Sequence, residues 1–142
     1  MICEQWVDAY KDRIPKGKYS VEVISGEEHG LIIRLYGMRD NEYTVTLDFG
    51  IVNAFQMIEE GTLLNLPEYM EESDSEALIK ERGYPSVLYK VEGSLFQEYI
   101  RSSMGAYLYD VNKICQYVVV TENYFISVMS CTEPEIRIKA KT

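Results

Sequence analysis

The chain has 142 residues, 46% hydrophobic and 26% charged, which is enough to bury a core and predicts a single domain over residues 1–142. Its 14 Lys and Arg residues face 23 Asp and Glu residues. The formal net charge of −9 argues against binding to nucleic acid or to an anionic membrane surface. The same charge is compatible with a basic protein partner, although it also serves solubility.

We expect no secretory signal and no membrane-spanning segment in this sequence. Its beginning, MICEQWVDAY, has neither the basic nor the apolar region of a secretory signal, and no apolar run approaches the roughly 20 residues that span a membrane. Cys3, Cys115 and Cys131 are an odd set without CxxC spacing. That pattern indicates free thiols in a reducing compartment, with Cys115 and Cys131 packed as small hydrophobic side chains. We therefore expect a cytoplasmic protein.

The first part of the chain predicts a helix followed by strands. Cys3–Ile14 places apolar residues, Trp6 and Tyr10 among them, at helical spacing, which predicts an amphipathic N-terminal helix that ends at Pro15. The lone tryptophan is interpreted as a packing anchor. Strands are predicted over Tyr19–Ile24, Leu31–Tyr36 and Tyr43–Leu47.

The segment Ile51–Glu60 fits two structures. Val52, Phe55 and Ile58 are spaced as on a helix, whereas the run IVNAFQMI equally suits a strand. A turn at Phe49-Gly50 followed by a strand is the favoured interpretation, and a helix remains the alternative.

The stretch from Gly61 to Tyr84 contains an acidic run. Ser73 and Glu76 form a possible capping box for a short helix over Asp74–Arg82. The run is either a solvated acidic loop or a recognition patch for a cationic partner. In the second case the partner-binding residues are Tyr69, Glu71, Glu72, Asp74 and Glu76.

The last part predicts a strand, a helix and three further strands. After the strand Ser86–Val91, Ser94 and Gln97 form a capping box that opens a helix over residues 94–104. The closing strands are Ile114–Thr121, Tyr124–Cys131 and Glu135–Lys139, the last of them an edge strand. Together these elements predict an α+β fold, in which a single mainly antiparallel β-sheet of six or seven strands is covered by the N-terminal helix and the helix at 94–104.

No catalytic or cofactor-binding signature is found. His29 is the only histidine and is predicted to be a solvated loop residue, and the sequence has no GxSxG, P-loop or GxGxxG motif. One histidine and three scattered cysteines do not make a zinc site of usual spacing. We therefore expect no enzyme, no cofactor and no metal.

One segment resembles a known family. The sequence LFQEYIRSSMGAYLYDVNKICQYVVVTENYFISVMSCTEPEIR combines a capped helix, an acidic loop, a Y-x-V-x-T strand, an I-x-V strand and an E-P-E end. With the earlier FGIVNAF run, it resembles the small acidic immunity proteins of bacterial polymorphic toxin systems, of the contact-dependent inhibition type. The resemblance implies a cytoplasmic protein that masks the active surface of a toxin without turnover.

The expected function is therefore that of a non-catalytic inhibitor that binds a cognate, cationic toxin domain. The alternatives are a small-ligand-binding domain or a carboxylate-based enzyme, with a pocket between sheet and helix, and an accessory subunit of a larger complex with an exposed apolar patch.

Overall fold

The computed structural model describes residues 4–8, 10, 12–59, 86–103 and 113–140. These residues form nine strands and one helix. The strands are β1 (Gln5–Val7), β2 (Tyr19–Gly26), β3 (Gly30–Gly37), β4 (Tyr43–Gly50), β5 (Ala54–Glu59), β6 (Leu88–Glu92), β7 (Cys115–Val120), β8 (Tyr124–Ser130) and β9 (Glu135–Ala140), and the helix is α1 (Leu95–Ser103).

The strands form two antiparallel sheets. One sheet has five strands in the order β1-β6-β7-β8-β5, and the other has four in the order β2-β3-β4-β9. One hydrophobic cluster contains residues of both sheets, and the rings of Phe49 in β4 and Tyr117 in β7 lie 5.6 Å apart across it. The core therefore lies between the two sheets, as in a β-sandwich.

The prediction of an α+β fold with a single sheet is wrong. Alternating strands such as β3, which buries Leu31, Ile33 and Leu35, need a second layer over their apolar face. The sequence suggested two helices for that layer, but in the described residues the second sheet supplies it. Pro134 lies where the chain passes from β8 to β9, and β9 pairs with β4 instead of β8.

The predicted helix over Cys3–Ile14 is also wrong. Gln5–Val7 pairs with β6, with Trp6 opposite Val91. Trp6 packs on the outer face of the five-stranded sheet, whereas Tyr10 and Ile14 enter the core between the sheets. Residues at helical spacing are thus buried in two different places, which one straight helix face cannot achieve.

Three local predictions are confirmed. The predicted helix at 94–104 is α1, and Ser94 caps it, because the backbone N–H of Gln97 donates to Ser94 Oγ over 3.0 Å. The favoured strand within Ile51–Glu60 is β5. The edge strand Glu135–Lys139 is β9.

Among the described residues, no helix has both the length and the apolar composition needed to cross a membrane.

Candidate functional site

The residues predicted from the acidic run, Tyr69, Glu71, Glu72, Asp74 and Glu76, lie outside the described residues. The structure therefore neither supports nor contradicts that site. The described residues contain a different candidate, on the outer face of the five-stranded sheet.

The candidate site is a cleft of about 240 Å³ between this outer face and the beginning of α1. The pairing of the strands shows which residues form the floor of the cleft. Gln56 in β5 lies opposite Ser127 in β8, which lies opposite Val118 in β7. Residues directly opposite one another in neighbouring strands point to the same face of the sheet, so all three lie on the outer face. The lining residues are Glu4, Trp6, Gln56, Ile58, Ser94, Leu95, Phe96, Gln116, Val118, Phe125 and Ser127. We call this site the outer-face cleft.

Aromatic side chains form one wall of the outer-face cleft. The ring centroids of Trp6 and Tyr89 are 5.4 Å apart, and those of Trp6 and Phe125 are 6.5 Å apart in an edge-to-face arrangement. Phe125, Tyr89 and Val118 are buried in the cluster against which Trp6 packs. Trp6 is thus a packing anchor, as predicted, but it also lines the cleft.

Helix α1 forms another wall and is held to the sheet by polar contacts. Ser94 Oγ, which caps the helix, donates to Gln116 Oε1 of β7. The amide of Gln97 donates to the carbonyl of Val91 over 3.1 Å, and Arg101 donates to the carbonyl of Ile114 over 2.9 Å. These bonds fix the helix N-terminus, and with it Leu95 and Phe96, against the cleft.

The outer-face cleft also contains polar groups without protein partners. Within the part of the chain that the structure describes, the side chains of Gln56 and Ser127, and the amide nitrogen of Gln116, make no hydrogen bond. Gln116 is only 3% exposed, so its free amide group faces the cleft rather than bulk solvent. Converging polar groups on an apolar wall are typical of a binding site.

Glu4 is the only charged residue among the described residues that line the cleft. The indole N–H of Trp6 donates to its Oε1 over 2.9 Å. Burial raises the pKa of Glu4 above its usual value, and the hydrogen bond from Trp6 opposes this shift in part. An ionised Glu4 is therefore incompletely solvated, which favours binding of a compensating positive charge.

A second polar cluster lies where the N-terminal segment meets β6. The phenol of Tyr10 donates to Glu133 Oε1 over 2.9 Å, and Lys90 Nζ donates to the same oxygen over 3.0 Å. Burial raises the pKa of Tyr10 above its usual value, and it raises the pKa of Tyr117 to about 12. The hydrogen bonds from Lys90 and Tyr10 lower the pKa of Glu133. Both tyrosines therefore stay neutral at physiological pH. Because the side chains of this cluster pair with one another, we interpret the cluster as a contact that connects elements of the fold.

The other chemistry-bearing side chains that the structure describes do not gather at the outer-face cleft. His29 lies exposed in the turn between β2 and β3, as predicted. Cys115 packs against the core, but Cys131 is exposed, so its predicted burial is wrong. In the described ranges no group of three or more His, Cys, Asp or Glu side chains could hold a metal ion.

Sequence reasoning missed most of the outer-face cleft. Glu4 and Gln56 are separated by 52 positions, and no motif joins them to Gln116 or Ser127. The available signal was a polar residue inside an otherwise apolar strand, Gln116 in β7 and Ser127 in β8.

Comparison of the chain with protein-family models, with curated proteins and with solved structures finds no match.

Proposed function

We propose that this protein is a non-catalytic, cytoplasmic binding protein of the immunity or antitoxin type, which neutralises a cationic toxin domain by forming a complex with it. The observation that carries the proposal is the outer-face cleft, a concave apolar surface whose described lining has unpaired polar groups and one carboxylate. Such a surface suits recognition by shape and hydrogen bonding.

The composition of the cleft favours binding over catalysis. Hydrolysis by carboxylates uses two of them about 5–10 Å apart across the scissile bond. Glu4 is the only carboxylate among the described residues that line the cleft, and neither His29 nor Cys131 is part of the lining. The described lining thus lacks a nucleophile paired with a base.

The charge of the protein favours a cationic partner. A net charge of −9 on 142 residues attracts basic proteins and accelerates their association at low ionic strength. Exposed apolar side chains lie beside the cleft on α1, where Leu95 is 65% and Tyr99 67% exposed. An interface that combines an apolar centre with acidic surroundings is consistent with this pattern.

The acidic run remains a prediction for the same partner. Charge reversal at Glu71, Glu72 and Asp74 is expected to slow association and to reduce its dependence on salt concentration. Unchanged association rates in the triple variant would remove these residues from the binding site.

The first experiment concerns the gene immediately upstream. If it encodes a polymorphic toxin, its C-terminal domain is expressed with and without this protein, and cell survival and complex formation are scored. Rescue through a stable stoichiometric complex would support the proposal. An upstream gene for an ordinary metabolic enzyme, or toxicity that persists despite co-expression, would count against it.

The second candidate function is a small-ligand-binding domain. It is favoured by the polar groups of Gln56, Ser127 and Gln116 in the cleft, which have no hydrogen-bond partner among the described residues. The volume of about 240 Å³ lies below the range of about 300–1,000 Å³ typical of drug-sized ligands, so this candidate requires a small compound. A thermal-shift screen of neutral and charged fragments separates the two: stabilisation by a neutral fragment with no protein complex would favour the ligand domain.

A further inference from the structure

We propose that the outer-face cleft is the pocket for a lysine or arginine side chain of the protein partner, with the aliphatic stem along Trp6 and Phe125 and the cationic end at Glu4. This inference rests on the proposed function, because it assigns the pocket to a residue of the cationic partner.

The first support is the position of Glu4, the only carboxylate among the described residues that line the cleft. Glu4 lines the cleft beside Trp6, and the indole N–H holds one of its oxygens while the other has no hydrogen-bond partner among the described residues. A charge-assisted hydrogen bond from an ammonium or guanidinium group would use that second oxygen.

The second support is that none of the described basic residues pairs with Glu4. The ion pairs of the described residues, such as Arg34 with Glu22, Lys90 with Glu133 and Arg101 with Glu92, do not include Glu4. A half-buried carboxylate without an internal cation is costly to keep ionised. A cation from outside the chain relieves that cost, and this gives the cleft its preference for positive charge.

The third support is the aromatic wall. Trp6 and Phe125 meet edge to face, so the cleft has apolar aromatic surface next to the carboxylate. Lys and Arg side chains combine a hydrocarbon stem with a charged end, and their cations interact favourably with aromatic faces, tryptophan above all.

The fourth support is the row of free acceptors across the floor. Gln56 Oε1 and Ser127 Oγ lie on neighbouring strands at paired positions and make no hydrogen bond within the described ranges. A guanidinium group offers five N–H donors in a plane, more than Glu4 alone can accept. The volume of about 240 Å³ suits one such side chain better than a drug-sized molecule.

The direct test uses n-butylguanidinium, and its neutral isostere n-butylurea as the matched probe. Trp6 is the only tryptophan of the chain, so its fluorescence reports on the cleft. We expect n-butylguanidinium to change the emission in a saturable way and n-butylurea to bind at least tenfold more weakly. Equal affinity of the two probes would overturn the inference, because the cleft would then not select for charge.

Two variants test whether Glu4 supplies the negative charge that binds n-butylguanidinium. Glu4→Gln is expected to weaken n-butylguanidinium binding by about 10- to 100-fold, the effect typical of losing a hydrogen bond to a charged group. Glu22→Gln changes a carboxylate on the outer face of the other sheet and is expected to leave the affinity unchanged. Equal affinities of Glu4→Gln and the parent protein would overturn the assignment of Glu4.

Two variants of the cleft, tested in the complex, separate this inference from the proposed function. If a cationic toxin domain binds the parent protein, Glu4→Gln and Trp6→Phe should increase the dissociation rate, each by about tenfold or more. A complex that both variants leave unchanged would overturn the pocket while the proposed function stands. If n-butylguanidinium binds selectively but no toxin domain forms a complex, the proposal of a protein partner would be wrong. The ligand of the cleft would then be a free organic cation.

Discussion

The outer face of the four-stranded sheet carries charged and hydroxyl side chains that contact one another, whereas that of the five-stranded sheet carries buried apolar side chains around a cleft. On the first face, Glu22 forms an ion pair with Arg34 at 3.7 Å and accepts a hydrogen bond from Tyr36 at 3.0 Å. On the second face, the side chains of Gln56 and Ser127 make no hydrogen bond in the described part of the chain.

This difference shows which face is suited to binding. Polar groups that are satisfied within the chain gain little from a partner, since each new contact replaces an existing one. Unpaired polar groups beside apolar surface gain both hydrogen bonds and burial when a ligand arrives. The outer-face cleft is therefore the stronger candidate, and the four-stranded sheet supplies control positions for each test.

The largest expected effect comes from aromatic residues on the two outer faces. Phe125 is 5% exposed, and Phe125→Ala should lower the free energy of unfolding by about 3–5 kcal/mol. Tyr36 on the other sheet is 37% exposed, and Tyr36→Ala should cost less than about 1 kcal/mol. Urea denaturation measures both, and similar losses would contradict the contrast between the faces.

The next effect concerns the contact between helix α1 and the sheet. Ser94→Ala removes the helix cap and leaves Gln116 without its partner, so we expect a loss of about 1–2 kcal/mol in unfolding free energy. Ser20 Oγ makes only an exposed contact of 3.5 Å with the carbonyl of Tyr36, and Ser20→Ala should change stability by less than about 0.5 kcal/mol. If Ser20→Ala lowered the unfolding free energy as much as Ser94→Ala, the result would contradict the role of Ser94 in attaching α1 to the sheet.

A smaller effect has a defined pH dependence. Because burial raises the pKa of Glu4 in the folded protein above 4.5, the folded state binds more protons than the unfolded state between the two values. The stability contributed by the protonated form is thus lost as pH rises through the folded pKa. Glu4→Gln should be slightly more stable than the parent protein at pH 7, and this difference should vanish below about pH 4.

Thermal unfolding across this pH range measures the Glu4 effect, with Glu22→Gln as the control on the exposed face. If Glu4→Gln were less stable than the parent protein at pH 7, the ionised carboxylate would stabilise the fold. The expectation that it lowers the free energy of unfolding would then be wrong. The combination of higher stability and weaker cation binding is the expected mark of a binding residue.

The smallest effect is expected on the four-stranded sheet. The Arg34–Glu22 pair has side chains about half exposed, and a double-mutant cycle with Arg34→Ala and Glu22→Ala should give a coupling energy of about 0.2–1 kcal/mol. The coupling should fall with added salt because the charges are screened. Coupling that is insensitive to salt would contradict the description of this face as solvated.

Local patterns in the sequence determined the elements well. Alternation of apolar residues predicted β3, β4 and β8. Ser94 and Gln97 predicted the beginning of α1, since the capping bond joins residues only three positions apart. In each case the deciding interaction lies within the segment itself or in its own pattern of burial.

Only the tertiary structure decided how those elements are divided between sheets and where the cleft lies. The N-terminal segment has helical spacing, but pairing with β6 and burial of Trp6 outweigh the weak helix propensity of a short segment. The strand β9 follows β8 directly yet joins β4, where Ile136 lies opposite Leu47 in the core layer. The cleft brings together Glu4, which precedes β1, Gln56 in β5 and Gln116 in β7, and such long-range juxtaposition depends on sheet order, which no local pattern encodes.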